Sequence, residues 1–134
     1  PYRSASSGLV SETEANMAKR SIEVTDQALS VISEALEMAR RKRPEANWMP
    51  VLLWGPSAVK HLDDDHWAER GVGFTLGFQV EHIARSELPA SDIRSFQSME
   101  IGFVISPKFA QLLPEKVNID YEDGQFVSLR QAHL

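Results

Sequence analysis

Between Glu100 and Leu129 (EIGFVISPKFAQLLPEKVNIDYEDGQFVSL) the chain changes its periodicity repeatedly with almost no spare residues, and this stretch restricts the folds open to it. Met99, Ile101, Phe103 and Ile105 alternate with Glu100, Gly102, Val104 and Ser106, the period-2 pattern of a half-buried strand. Ser106-Pro107 then reads as an N-cap followed by proline at the first helical position, where a missing N–H costs nothing. Phe109, Leu112 and Leu113 give the short helix that starts there an apolar face, and Pro114 ends it. Val117, Ile119 and Tyr121 restore the strand period. Asp123-Gly124 is a pair that tolerates the positive φ of a two-residue hairpin turn, so Gln125 to Leu129 should be the return strand.

Upstream, Thr25-Asp26 supplies an N-cap and an acidic first turn after the short apolar lead-in Ile22 to Val24. A helix of about five turns is expected to follow. Ala28, Ile32, Ala35, Leu36 and Ala39 share one face, and Gln27, Ser30, Ser33, Glu34 and Glu37 face water. Arg40-Arg41-Lys42-Arg43 occupies the last turn before Pro44, where cations favour the helix dipole; a phosphate- or partner-binding patch is the other reading. Met49 to Trp54 is a nearly continuous apolar run, consistent with a buried strand. Gly55 to Gly71 reads as a long polar loop, the usual place for function in a compact domain. Val72, Phe74, Leu76, Phe78 and Val80 form the cleanest strand, and Gly73 and Gly77 on its other face suggest close approach of a neighbour. Ser86 to Ser95 reads as a polar connection. Residues 1–20 lack apolar periodicity and read as a flexible tail ahead of one domain over residues 21–134. Within that tail Ser6-Ser7-Gly8-Leu9-Val10 has a cloning remnant, with Met17 as a native start, as its alternative reading, and natural tails share the same composition.

The totals exclude several classes. A 134-residue chain that is 43% hydrophobic fits one globular domain. Its net charge of -5 disfavours nucleic acid and anionic membranes as partners. With 0 cysteines there is no disulfide, thiolate metal site or cysteine nucleophile. No apolar run approaches the roughly 20 residues needed to span a bilayer, and a cytoplasmic location is expected. G-x-G-x-x-G, P-loop, G-x-S-x-G and H-E-x-x-H motifs are all lacking.

Taken in order, Ile22-Glu23-Val24-Thr25-Asp26-Gln27-Ala28-Leu29, Leu76-Gly77-Phe78, Ile105-Ser106-Pro107, Leu112-Leu113 and Ile119 to Phe126 give the chain a likeness to a known family. It resembles the HesB/IscA-type iron–sulfur cluster assembly proteins. The resemblance implies an α+β fold: a HesB-like compact domain of small mixed β-sheets with one long N-terminal helix and one short helix, often oligomeric. In that family a cysteine before the central strand and a C-terminal Cys-x-Cys hold the cluster or iron. This chain has neither, and imidazoles or carboxylates do not ordinarily replace thiolates around a cluster.

Candidate metal-capable side chains are His61, Asp63, Asp65 and His66 in the polar loop, with His133 joining if the ends meet as the resemblance implies. An imidazole pair with a carboxylate suits iron or zinc, although a solvated acidic loop explains the same residues. His82 beside Glu81 makes a poor catalytic pair, because consecutive strand residues face opposite ways. Trp48, Trp54 and Trp67 read as packing or interface residues. The expectation is therefore a non-enzymatic, cysteine-less HesB-like module that binds a protein partner or itself, with no cofactor, linked to iron–sulfur metabolism. The alternative is an iron- or zinc-binding protein using the His61 to His66 loop.

Overall fold

A computed structural model of the chain describes residues 16–57 and 71–128. Among the described residues seven strands form one sheet: β1 (Ser21–Val24), β2 (Trp48–Ser57), β3 (Gly71–Val80), β4 (Ile93–Phe96), β5 (Met99–Ile105), β6 (Lys116–Glu122) and β7 (Gln125–Ser128). Their spatial order is β1-β6-β7-β3-β2-β5-β4. The β1–β6 and β2–β5 pairs are parallel and the other neighbours antiparallel. Helix α1 (Asp26–Lys42) leads from β1 towards β2, and a shorter helix, α2 (Glu81–Glu87), follows β3 directly. Residues Ala90–Asp92 and Pro107–Leu112 form 3₁₀ turns.

This architecture corrects the expected fold class. In place of a compact α+β domain of small mixed sheets, with one long N-terminal helix and one short one, the chain builds a mostly β, nearly closed barrel-like sheet. The 17-residue α1 is a connection that follows β1, not a leading N-terminal element. Periodicity marks single strands but not how many of them join one sheet, because pairing is a long-range choice.

The core is continuous. Leu52, Trp54, Phe74, Phe103, Ile105 and Ile119 are buried on the inner face of the sheet, and α1 adds Leu29 and Ile32. Each such side chain contributes about 1.5 to 3 kcal/mol when fully buried. Trp54 packs on Phe74 with ring centroids 4.9 Å apart, and its Nε1 donates to the Phe109 carbonyl at 2.9 Å.

Residues 16–20, which composition assigns to the tail, complete this core. Met17 is 0% exposed, and the flanking backbone is fastened to the far edge of the sheet. Met17 N–H donates to Asp92 Oδ1 at 2.8 Å, and Arg94 Nη2 donates to the Met17 carbonyl at 2.6 Å and the Arg20 carbonyl at 3.1 Å. β1 and β4 are the two edges of the sheet, so Asp92 and Arg94 bridge the seam that backbone pairing leaves open.

Several local readings need revision. β2 continues through Gly55 and Pro56 to Ser57, which shortens the expected loop; residues 58–70 lie outside the described residues. Two prolines in a central strand are unusual. β5 pairs only with Val51 to Trp54 of β2, so Pro50 and Pro56 break no bond to it. The connection Ser86 to Ser95 contains the end of α2, a 3₁₀ turn and most of β4. β4 (IRSF) escapes detection because its polar residues are used to close the seam.

After β5 the helix is 3₁₀, with Pro107 in its first turn, and the Ser106 side chain makes no capping bond. Residues three apart eclipse in that geometry, so Ala110 and Leu113 are buried while Leu112 is 58% exposed. The β6–β7 hairpin turns at Asp123 (φ 52°) and Gly124 (φ 82°), the left-handed pair that Asp-Gly favours.

Candidate interaction surfaces

The metal candidates His61, Asp63, Asp65, His66 and His133 all lie outside the described residues. Among the described residues no group of three or more metal-ligating side chains comes together. His82 is exposed and opens α2 rather than ending a strand, and Glu81 is taken up by structural partners. Arg85 Nη2 lies 2.7 Å from Glu81 Oε2 and also bonds Glu100, which joins α2 to β5. The hydrogen bonds to Glu100 and then Glu81 hold the Arg85 guanidinium's pKa above its ordinary value. Asn47 Nδ2 also donates to Glu81, at 2.9 Å.

Two surfaces remain open among the described residues. The first is the outer face of the central strands. Cross-strand register sets Leu53 beside Val104 and Thr75, and Val51 beside Gly77 and Gly102. Leu53 is 43% and Val104 36% exposed. A methyl group added at Gly77 would meet nothing within 4 Å, so the expected close approach of a neighbour is not made there. The result is a shallow hollow of about 320 Å³ with Val51, Leu53, Phe78 and Val104 around it. No outward residue at these paired positions is charged. A continuous apolar run such as Met49 to Trp54 puts apolar groups on both faces of a strand, and that was the sequence signal for this surface.

The second surface is a groove between α1 and the β4–β5 hairpin. Two hollows, of about 320 Å³ and 440 Å³, share Ser33, Ser98 and Met99 and so run into one another. Gln97 Nε2 donates to Asp26 Oδ1 at 3.2 Å and closes one end. The Glu81–Arg85–Glu100 bridge stands at the other end, where Arg40 and Trp48 also line the wall. In sequence Arg40 is indistinguishable from its basic neighbours, and only the packing of α1 assigns it to the groove.

Comparison with known proteins finds no matching family model, no matching curated protein and no matching solved structure.

Proposed function

We propose that this chain is a non-enzymatic interaction module that self-associates through the outer face of β2, β3 and β5. The observation that carries the reading is the pairing of exposed Leu53 and Val104 with the open hollow at Gly77 within one uncharged patch of that face. Central strands carry their outward apolar residues at a cost unless something covers them. A projection beside a recess on the same face is what a two-fold interface needs, since each copy offers both halves of the contact. The chain carries a net charge of -5, so two copies repel in general. An uncharged patch is where they meet without opposing like charges. Among the described residues Glu81 and Glu100 are bound by Arg85 and Asp92 by the Met17 backbone, so these three acids are held in structural contacts. A regulatory role linked to iron–sulfur metabolism, suggested by the resemblance in the sequence, belongs to the same proposal.

Light scattering after size exclusion tests it. The wild-type chain is expected to run as a dimer, and Leu53→Lys and Val104→Lys as monomers with unchanged circular dichroism. A wild-type monomer at high protein concentration, or a dimer that both substitutions leave intact, would exclude this face as the interface.

A further inference from the structure

We propose that β3 takes up an extended segment of another protein by strand addition along its edge from Leu76 to Val80, a segment with an apolar centre and a basic residue at its C-terminal end. The edge borders the hollow at Gly77, but strand addition does not depend on self-association.

β3 has 10 residues and pairs with β2 from Gly71 to Val80, whereas on its other side β7 meets it at Phe74 alone. The register that sets Phe74 against Phe126 carries Leu76 to Gly124, where the hairpin turns away into β6. Past that turn the lane beside β3 holds no strand among the described residues. Residues of an antiparallel strand direct their main-chain groups alternately to one neighbour and the other. Glu81 N–H donates to the Asn47 carbonyl at 2.7 Å, one step beyond the Trp48–Val80 pair, so the odd-numbered residues of β3 bond β2. Pro50 and Pro56, which have no N–H, stand opposite even-numbered Phe78 and Val72, in keeping with that order. The N–H groups of Phe78 and Val80 and the Phe78 carbonyl therefore face the open lane.

α2 does not cover them. From Val80 it crosses towards β5, where Arg85 bonds Glu100 and Leu88 packs over Gly102. Exposed strand edges are ordinarily blunted by charge, proline or a bulge. Gly71 to Val80 contains no charged residue and no proline. Main-chain donors and acceptors in this arrangement match those of an added strand. Leu76 to Val80 offers about 14 Å of edge, so about five residues pair.

The neighbours set the chemistry of that strand. A residue placed opposite Gly77 stands in a non-hydrogen-bonded pair, where side chains come closest. Gly77 is exposed, with nothing within 4 Å of a Cβ built there, so a large apolar side chain fits over it beside Val51 and Leu53. On the inner side Leu76, Phe78 and Val80 are half-buried and apolar. An antiparallel segment brings its C-terminal end to the β6–β7 turn, where exposed Glu122 and Asp123 make no ion pair among the described residues. Two free carboxylates there favour a cation. A second copy of this chain would instead bring its own Glu81 to that turn, acid beside acid, with a net charge of -5 on each copy.

The test is panning of a phage-displayed random heptapeptide library against the full chain, followed by fluorescence anisotropy with the selected peptides as C-terminal amides. The wild-type chain is expected to enrich β-branched or aromatic residues, with Lys or Arg towards the C-terminal side. Val80→Pro removes one N–H of the lane at a residue whose φ is already -62°, so the chain should keep its circular dichroism and bind the peptides about tenfold or more weakly. Gly77→Leu fills the recess and should weaken them as well, which gives a second reading if Val80→Pro loses the fold. Glu122→Gln combined with Asp123→Asn should abolish the basic preference. Val104→Lys lies two strands from the edge and should bind as the wild type does, so that loss of self-association and loss of peptide binding are read separately. No enrichment, enrichment of acidic peptides, or wild-type affinity in a folded Val80→Pro or Gly77→Leu would each overturn the proposal. A wild-type dimer that Val80→Pro dissolves would make a second copy the occupant and overturn it too.

Discussion

The carboxylate of Asp92 accepts the main-chain N–H of Met17 at 2.8 Å, across 75 residues of sequence. Asp92 is 4% exposed and Met17 0%, so the bond lies where two sheet edges meet and no strand pairing holds them. Asp92→Ala leaves that N–H without a partner and is expected to destabilise the fold by about 1 to 3 kcal/mol. Asp92→Asn retains an acceptor and should cost less. Met17→Ala removes a fully buried side chain, for an expected loss of about 2 to 5 kcal/mol. Urea unfolding measures all three, and neutral behaviour of Asp92→Ala would show that the seam does not contribute to stability.

Gly102 is held close to α2 and β2. A Cβ there would sit 2.8 Å from Leu88 Cδ1 and 3.4 Å from Val51 Cγ2. The atom in the way is the end of a flexible side chain that can move aside, so Gly102→Ala should destabilise by no more than about 1 kcal/mol. The Leu88 side-chain end is the nearest obstacle, so Leu88→Ala in the same chain should make Gly102→Ala milder than it is alone. Additive losses in the double variant would place the strain elsewhere.

The hairpin turn rests on Gly124, whose φ of 82° is one that other residues enter with strain. Gly124→Ala is expected to cost about 1 kcal/mol. Thermal unfolding reads the change, and β6 and β7 amides should exchange faster if the turn is the origin.

Thr25 joins α1 to β6. Its hydroxyl donates to Asp120 Oδ1 at 2.5 Å and accepts the Ala28 N–H at 3.2 Å. The Thr25 bond, followed by the Tyr121 backbone N–H, holds the Asp120 carboxyl below its ordinary value. A carboxylate whose folded pKa is depressed stabilises the fold above the unfolded pKa, about 3.9, and loses that contribution as pH falls through the folded value. Stability of the wild-type chain should thus drop on acidification below about pH 4, and Asp120→Asn should flatten that part of the curve. Thr25→Val loses the cap as well and should cost about 0.5 to 2 kcal/mol even at neutral pH. An acid limb unchanged in Asp120→Asn would remove Asp120 from the account.

At several places where bonding is local, the sequence was a sound guide to structure. Thr25 caps α1, the alternating residues of β5 turn Ile101, Phe103 and Ile105 inward, and Asp123-Gly124 makes the hairpin. Each depends on residues a few positions apart, and intrinsic preference decides it. The reading failed where the partner is distant. β4 is polar because Arg94 reaches the backbone near Met17, and Met17 lies in a stretch with no apolar period yet fills the core. The expected small sheets became one barrel-like sheet for the same reason: pairing partners are chosen by closure and burial, which no window of sequence contains.

The surfaces divide in the same way. The sequence alone determined that Met49 to Trp54 would be apolar on both faces and that Arg40 would be one of a basic run. Only the tertiary structure decided that Leu53 and Val104 meet on an open face, and that Arg40 lines the groove beside α1. Burial is a property of neighbours, and it sets whether an apolar or charged side chain stabilises the core or stands free to bind.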